Sequence, residues 1–322
     1  PVTDPGYSAS PRSYTIEPGS FLGVITQPVT IDATTQPDHV ADPVIQLDGG
    51  FATGATAGLS LRTDNGEIRG FIVHSFDDDG LEIDGASGFG DNNLIAGNWS
   101  GIDASGAPQP NLDAGIVVAN GASANTIGGT GPNDANVVGS NTTAGLQLRE
   151  ATTQDNVVVG NFIGVLDDGM TARPNGTYGV QLHVATSGNR IGGTLASESN
   201  HIANNTLDGI ALAADVGTGN SILRNSVHSN GGLGVDLAID GVTANSTLDA
   251  WLDYPTIGSA VGAAGTVTVD FDLDLPAGDY SIEAFTNPSG ADGTGYGEGE
   301  VYETSTTITH TGSGSESFQI TY

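Results

Sequence analysis

Short runs of alternating aliphatic residues, each closed by Gly, Asn, Asp or Thr, fill the middle of this chain. Long stretches with apolar residues at three-four spacing and good caps do not occur, so the pattern predicts strands rather than helices. Two phrases recur. One sets two asparagines five positions apart around an aliphatic residue: Asn93-Leu-Ile-Ala-Gly-Asn98, Asn136-Val-Val-Gly-Ser-Asn141, Asn156-Val-Val-Val-Gly-Asn161, Asn200-His-Ile-Ala-Asn-Asn205 and Asn220-Ser-Ile-Leu-Arg-Asn225, with half-copies at Asn125 and Asn189. The other is Gly followed by aliphatic-x-aliphatic. It starts at Gly80, Gly115, Gly145, Gly179, Gly209 and Gly234, at intervals of 35, 30, 34, 30 and 25 residues.

One Gly phrase and one or two Asn phrases per interval predict two or three short strands per turn of a solenoid. Alternation then sends Leu81/Ile83, Ile116/Val118, Leu146/Leu148, Val180/Leu182, Ile210/Leu212 and Val235/Leu237 inward. One coil cannot bury such a face, but stacked coils can. Asparagine suits the corners because it tolerates left-handed backbone geometry and can bond the next coil, forming an amide ladder. The expected fold is all-β: a right-handed parallel β-helix over residues 14–245, its hand following the crossover rule. Residues 1–13, rich in Pro and Ser, read as an irregular N-terminal arm. Over 246–322 the Asn phrases stop and longer alternating runs begin, which predicts a small antiparallel β-sandwich-like domain capping the helix.

Three stretches carry a family resemblance: Val29-Thr-Ile-Asp-Ala-Thr-Thr-Gln-Pro37, Gly66-Glu-Ile-Arg-Gly-Phe-Ile-Val and the Asn-x-Ile-x-Gly-Asn rungs. They resemble the parallel β-helix repeat proteins of microbial cell surfaces, over roughly residues 14–242. The tail, through Asp253-Tyr-Pro and Gly295-Tyr-Gly-Glu-Gly-Glu300, resembles the module that often follows such helices. The resemblance implies this fold and a secreted or cell-surface setting. It does not specify an activity, because the architecture hosts lyases, hydrolases, tailspikes and plain adhesins.

Charge narrows the functions. The 322 residues include 38 acidic residues and seven arginines, no Lys and no Cys, for a net charge of −31. Such a surface repels nucleic acid and anionic lipid, and no apolar run approaches the ~20 residues of a membrane span. Without cysteine there are neither disulfides nor thiolate metal sites. The acidity fits three explanations: adaptation to high salt, service of Ca²⁺ by turn aspartates, or simple solubility.

Candidate chemistry follows from the predicted outward face. Two residues after each Gly stand Glu82, Val117, Gln147, Gln181, Ala211 and Asp236. Four after it stand Asp84, Ala119, Arg149, His183, Ala213 and Ala238. Gln147, Arg149, Gln181 and His183 therefore form one polar patch on neighbouring rungs, a candidate carbohydrate-binding site in which Arg149 can pair a sugar carboxylate. The bland alternative is an ordinary polar flank with Arg149 paired to Glu150 or a nearby Asp. Glu82 and Asp84, about 7 Å apart by strand rise, fall in the window of an inverting hydrolase, and with Arg149 and His183 they are the only weak catalytic candidates. Lyases of this fold commonly use a Lys or Arg base, and Lys is missing. Asp77-Asp-Asp79 is a candidate Ca²⁺ turn; Ca²⁺ is the one cofactor the sequence suggests, and it requires none. Of five Asn-x-Ser/Thr sequons, Asn175 and Asn245 are the two expected to be modifiable. Trp99 and Phe162 read as packing under long corner loops, while His74, His201 and His228 sit in repeat positions that need no ligand.

The sequence thus predicts a non-catalytic, secreted or cell-surface structural or adhesive protein, with a polysaccharide or surface partner, homotypic assembly, no nucleic acid and no membrane insertion. The alternative is a polysaccharide lyase, glycoside hydrolase or viral tailspike acting on an outward face.

Overall fold

The computed structural model describes residues 6–36, 38–54, 56–245, 251–290 and 293–322. Its strands sort into three parallel sheets that the chain visits in rotation. Sheet A runs from Arg12–Ile16 to Ser226–His228, sheet B from Leu59–Leu61 to Val235–Ala238, and sheet C from Thr30–Asp32 to Ser221–Leu223. Sheets B and C each hold seven strands, and each strand pairs in parallel with the one a rung away. This is the arrangement of a parallel β-helix. Inward aliphatics of all three sheets, among them Leu61, Ile68, Val73, Ile116, Ile127 and Val138, join one buried core. Among the described residues no helix is long and apolar enough to cross a membrane.

The Gly phrase opens sheet B strands because rungs approach too closely there for a side chain. A Cβ at Gly115 would lie 2.6 Å from the Asn141 amide nitrogen and 2.8 Å from the Gly145 carbonyl oxygen. The asparagines form three columns, one at each corner: Asn93–Asn125–Asn156–Asn189–Asn220, Asn98–Asn136–Asn161–Asn200–Asn225 and Asn111–Asn141–Asn175–Asn205–Asn230. In each, one Oδ1 accepts from both the backbone N–H and the Nδ2 of the preceding rung's asparagine, as Asn161 does from Asn136 at 3.2 and 2.9 Å. The six-residue phrase therefore spans two different faces: Asn93 to Asn98 brackets a sheet C strand, and Asn136 to Asn141 a sheet A strand.

The last asparagine of a column has no further asparagine to accept from it. For the third column the C-terminal domain supplies the acceptor: Asn230 donates from N and Nδ2 to Glu298 Oε1 at 3.1 and 3.2 Å. A carboxylate, which only accepts, is the matching end group. Around this point Val227 donates to the Gly299 carbonyl at 2.8 Å, Ser226 Oγ donates to the Glu300 carbonyl at 2.6 Å, and the Arg224 guanidinium lies 3.9 Å from the Tyr302 ring centroid. The domain consists of an antiparallel three-stranded sheet (Thr256–Ala263, Thr266–Leu273, Glu316–Thr321) and a two-stranded one (Gly278–Thr286, Val301–His310). Phe271, Leu273, Leu275, Ile308 and Ile320 form its core.

The N-terminal arm differs from the irregular segment predicted. Tyr7–Ala9 pairs antiparallel with Arg12–Ile16 and closes the first edge of sheet A. Pro and Ser content concealed it because a short edge strand needs few ladder donors.

Candidate functional site

The outward face of sheet B stacks residues at fixed offsets from each Gly. Register sets Val117 between Glu82 and Gln147, Gln147 against Gln181, and Gln181 against Ala211. The rung of Ala114, Val117 and Ala119 is fully buried although it lies on the outward alternate of its strand, and the three pack as one small apolar cluster. Long polar side chains on both neighbouring rungs wall it. Arg149 leaves the rung on one side and carries its Nη2 to 3.6 Å from Asp79 Oδ2 on the other, with Nη1 3.9 Å from Asp113 Oδ2. Reaching Asp79 takes the side chain across the Val117 rung, whose small residues leave it room.

Arg149 therefore points away from Gln181 and His183. Nη1 donates to Gln147 Oε1 at 3.2 Å, whereas the buried Nε makes no hydrogen bond, with a Glu150 oxygen at 3.6 Å. Arg149, the residue expected to pair a sugar carboxylate, has oxygens of Asp79, Asp113 and Glu150 at 3.6, 3.9 and 3.6 Å. His183 stands on the rung beyond, its Nε2 buried without a partner and its pKa pushed down by burial, which favours the neutral ring.

Carboxylates converge on the other side of this slot. Asp78, Asp79 and Asp113 bring oxygens within 4.8 Å of one another. Asp113, rather than the exposed Asp77, completes the group, because Asp78 and Asp113 both stand two residues before their rung's Gly and so stack. That offset was readable in the sequence. Asp79 is buried; its Oδ1 accepts from Ala114 N at 3.0 Å. Burial, reinforced by Asp78 and Asp113 and opposed by Arg149, pushes its pKa up to about 7. Burial and the Asp113 charge also raise Asp78, while Thr143 Oγ1 donates to Asp113 at 2.6 Å. As a cation site this donor set is already served by a guanidinium.

The Glu82/Asp84 pair is divided in role. Burial raises Glu82, which accepts from Ser60 Oγ at 2.7 Å. Asp84 feels burial in the opposite direction to its hydrogen bonds, which win and hold it low: it accepts from Ala86 N and Asn120 Nδ2, each at 2.9 Å, and pairs with Arg62. Its oxygens are thus occupied.

Asn175 is corrected outright as a glycosylation acceptor. It is 0% exposed, donates Nδ2 to Asn205 Oδ1 and to the Val138 carbonyl, and belongs to the third column. Asn245 is exposed, and its amide pairs with the Tyr254 backbone. Trp99 packs with Ile72, Ile102 and Val137, and Phe162 and Leu166 lie against them beneath the long corner loops.

No family model matches the chain, and no curated protein matches it. Among solved structures it is similar to the crystal structure of the Dettilon tailspike protein (gp208), at 12% identity and a TM-score of 0.30, covering 95% of this chain and 85% of that one.

Proposed function

We propose that this chain is a non-catalytic extracellular or cell-surface protein: a closed, right-handed parallel β-helix that acts as a rigid adhesive scaffold and binds a neutral polysaccharide along the sheet B flank. The observation that carries this reading is the pair of rung-adjacent amides, half-buried Gln181 and buried Gln147 with its Oε1 on Arg149, beside a slot whose cation, Arg149, is held by acidic neighbours. Amides donate and accept equally, as sugar hydroxyls do. A chain of net charge −31 with a committed arginine disfavours uronates and nucleic acid alike. Binding to a panel of neutral and acidic polysaccharides tests this: retention by neutral glycans is expected, weakened about tenfold in Gln181→Ala, the cost of one or two lost hydrogen bonds. Preference for uronate chains would overturn it.

A glycoside hydrolase is the second reading, favoured by Asp79. A carboxylic acid that keeps its proton near neutral pH within 4.8 Å of Asp78 and Asp113 is suited to donate to a leaving oxygen while a neighbouring carboxylate assists. Reducing-sugar release abolished in Asp79→Asn supports it; silence across the panel leaves the adhesive reading. Ca²⁺, if bound, competes with Arg149 for the same aspartates.

The acidic surface is read as tuned to high salt. Screening shortens the Debye length to about 3 Å at 1 M and relieves self-repulsion. The thermal midpoint is expected to climb from low to molar NaCl; a flat midpoint removes the salt-adaptation reading. Homotypic assembly belongs to the same scaffold reading and is checked by mass in solution.

A further inference from the structure

Two histidines that fit the repeat as ordinary strand positions meet near the last rung of sheet A. His201 pairs with Ser226 and Ala203 with His228, so the two rings sit diagonally on one face. Their Nε2 atoms are 2.9 Å apart and their ring centroids 4.9 Å apart. Each ring is positioned from its other side: Ser229 Oγ lies 3.1 Å from His228 Nδ1, and the Phe162 ring lies 6.0 Å from that of His201. The contact is a hydrogen bond in which one Nε2–H donates to the other Nε2, so a bound metal ion would replace that shared proton.

Beside the pair opens a pocket of about 190 Å³, lined in part by His228, Asn230, Asn287, Glu298 and Glu300. Glu300 is anchored there by Ser289, whose N–H and Oγ donate to its carboxylate at 2.8 and 2.9 Å. Imidazole ligates metal only when neutral. The spacing fits a tetragonal ion: two nitrogens about 2.05 Å from it, at roughly a right angle, stand about 2.9 Å apart, whereas tetrahedral zinc would spread them to about 3.3 Å. Imidazole without thiolate selects borderline ions over soft ones, and nitrogen donors disfavour Ca²⁺ and Mg²⁺.

We propose that His201 and His228 form a two-imidazole binding site for a borderline divalent metal ion (Cu²⁺ or Ni²⁺) where sheet A meets the C-terminal domain, with pocket water completing the shell. The site is separate from the Asp78–Asp79–Asp113 group and independent of any glycan on sheet B.

The test uses the full chain stripped with EDTA and titrated with Cu²⁺. One tight equivalent is expected, with an electron paramagnetic resonance spectrum coupled to two imidazole nitrogens, untouched by excess Ca²⁺. His201→Gln and His228→Gln should each weaken binding more than about tenfold, while His183→Gln leaves it unchanged. Wild-type spectra lacking two-nitrogen coupling overturn the proposal without recourse to any variant. So do two-nitrogen spectra that persist in folded His201→Gln and His228→Gln proteins.

Discussion

Asp79→Asn is expected to make the protein more stable at pH 8, by a few kcal/mol, with the gain vanishing near pH 4. Burial raises the Asp79 pKa to about 7, helped by Asp78 and Asp113, whereas in the unfolded chain it sits near the ordinary value of about 3.9. The folded state therefore binds the proton more tightly. Between about pH 4 and pH 7 it holds more protons than the unfolded state, so stability falls as pH rises through that interval. Three units correspond to roughly 4 kcal/mol, an upper figure because relaxation and water entry reduce it. Asparagine is neutral at every pH and keeps an Oδ1 to accept from Ala114 N, so it removes the penalty while conserving the contact. It also deprives Arg149 of a counter-charge at 3.6 Å, which trims the gain. Urea unfolding of both proteins at pH 4, 6 and 8 measures this. Equal stability at pH 8 would mean that the Asp79 carboxylate is not desolvated, and would falsify the acid role as well.

Asn161→Ala is expected to cost about 4 kcal/mol or more. Asn161 is 1% exposed, and its amide is used on both sides. It accepts from Asn136 N and Nδ2 and donates to Asn200 Oδ1 at 2.9 Å and to the Ile127 and Val159 carbonyls at 3.0 and 3.1 Å. Alanine strands the Asn136 N–H and an Asn136 Nδ2 proton on the preceding rung, each costing about 1–3 kcal/mol where water cannot reach, and removes the Nδ2 bonds to Ile127 and Val159, while the 161 N–H still donates to Asn200 Oδ1. Because a solenoid is held by nearest-neighbour contacts, the defect should also split one unfolding transition into two. Denaturation followed by circular dichroism reads both effects. Exposed Asn245→Ala is the control and should cost less than about 1 kcal/mol. A loss at Asn161 no larger than that would show the columns to be dispensable.

A repeat protein discloses its core readily, because each rung restates the same instruction. The aliphatics after Gly80, Gly115, Gly145, Gly179 and Gly209 were readable as inward, and they are buried. The number of amide columns was less legible. Asn111 lies outside any six-residue phrase, beyond a corner loop folded back through the Ile102–Pro108 bridge, and Asn230 pairs with a glutamate 68 residues later. Variable corner loops shift the spacing that pattern reading relies on, so Asn175 looked like a surface sequon although it continues a buried column.

What the sequence determined by itself is the local alphabet of this protein: short strands, glycine where rungs touch, asparagine at corners, and which alternate of each strand faces in. These follow from backbone sterics and period-two alternation, which act within a few residues. The tertiary structure decided which outward residues meet. Only stacking places Arg149 over the small rung of Ala114, Val117 and Ala119 to reach Asp79, and sets His201 against His228. The physical reason is reach. A side chain's partners lie on rungs some 30 residues away in sequence, and its direction is set by the space the intervening rung leaves empty.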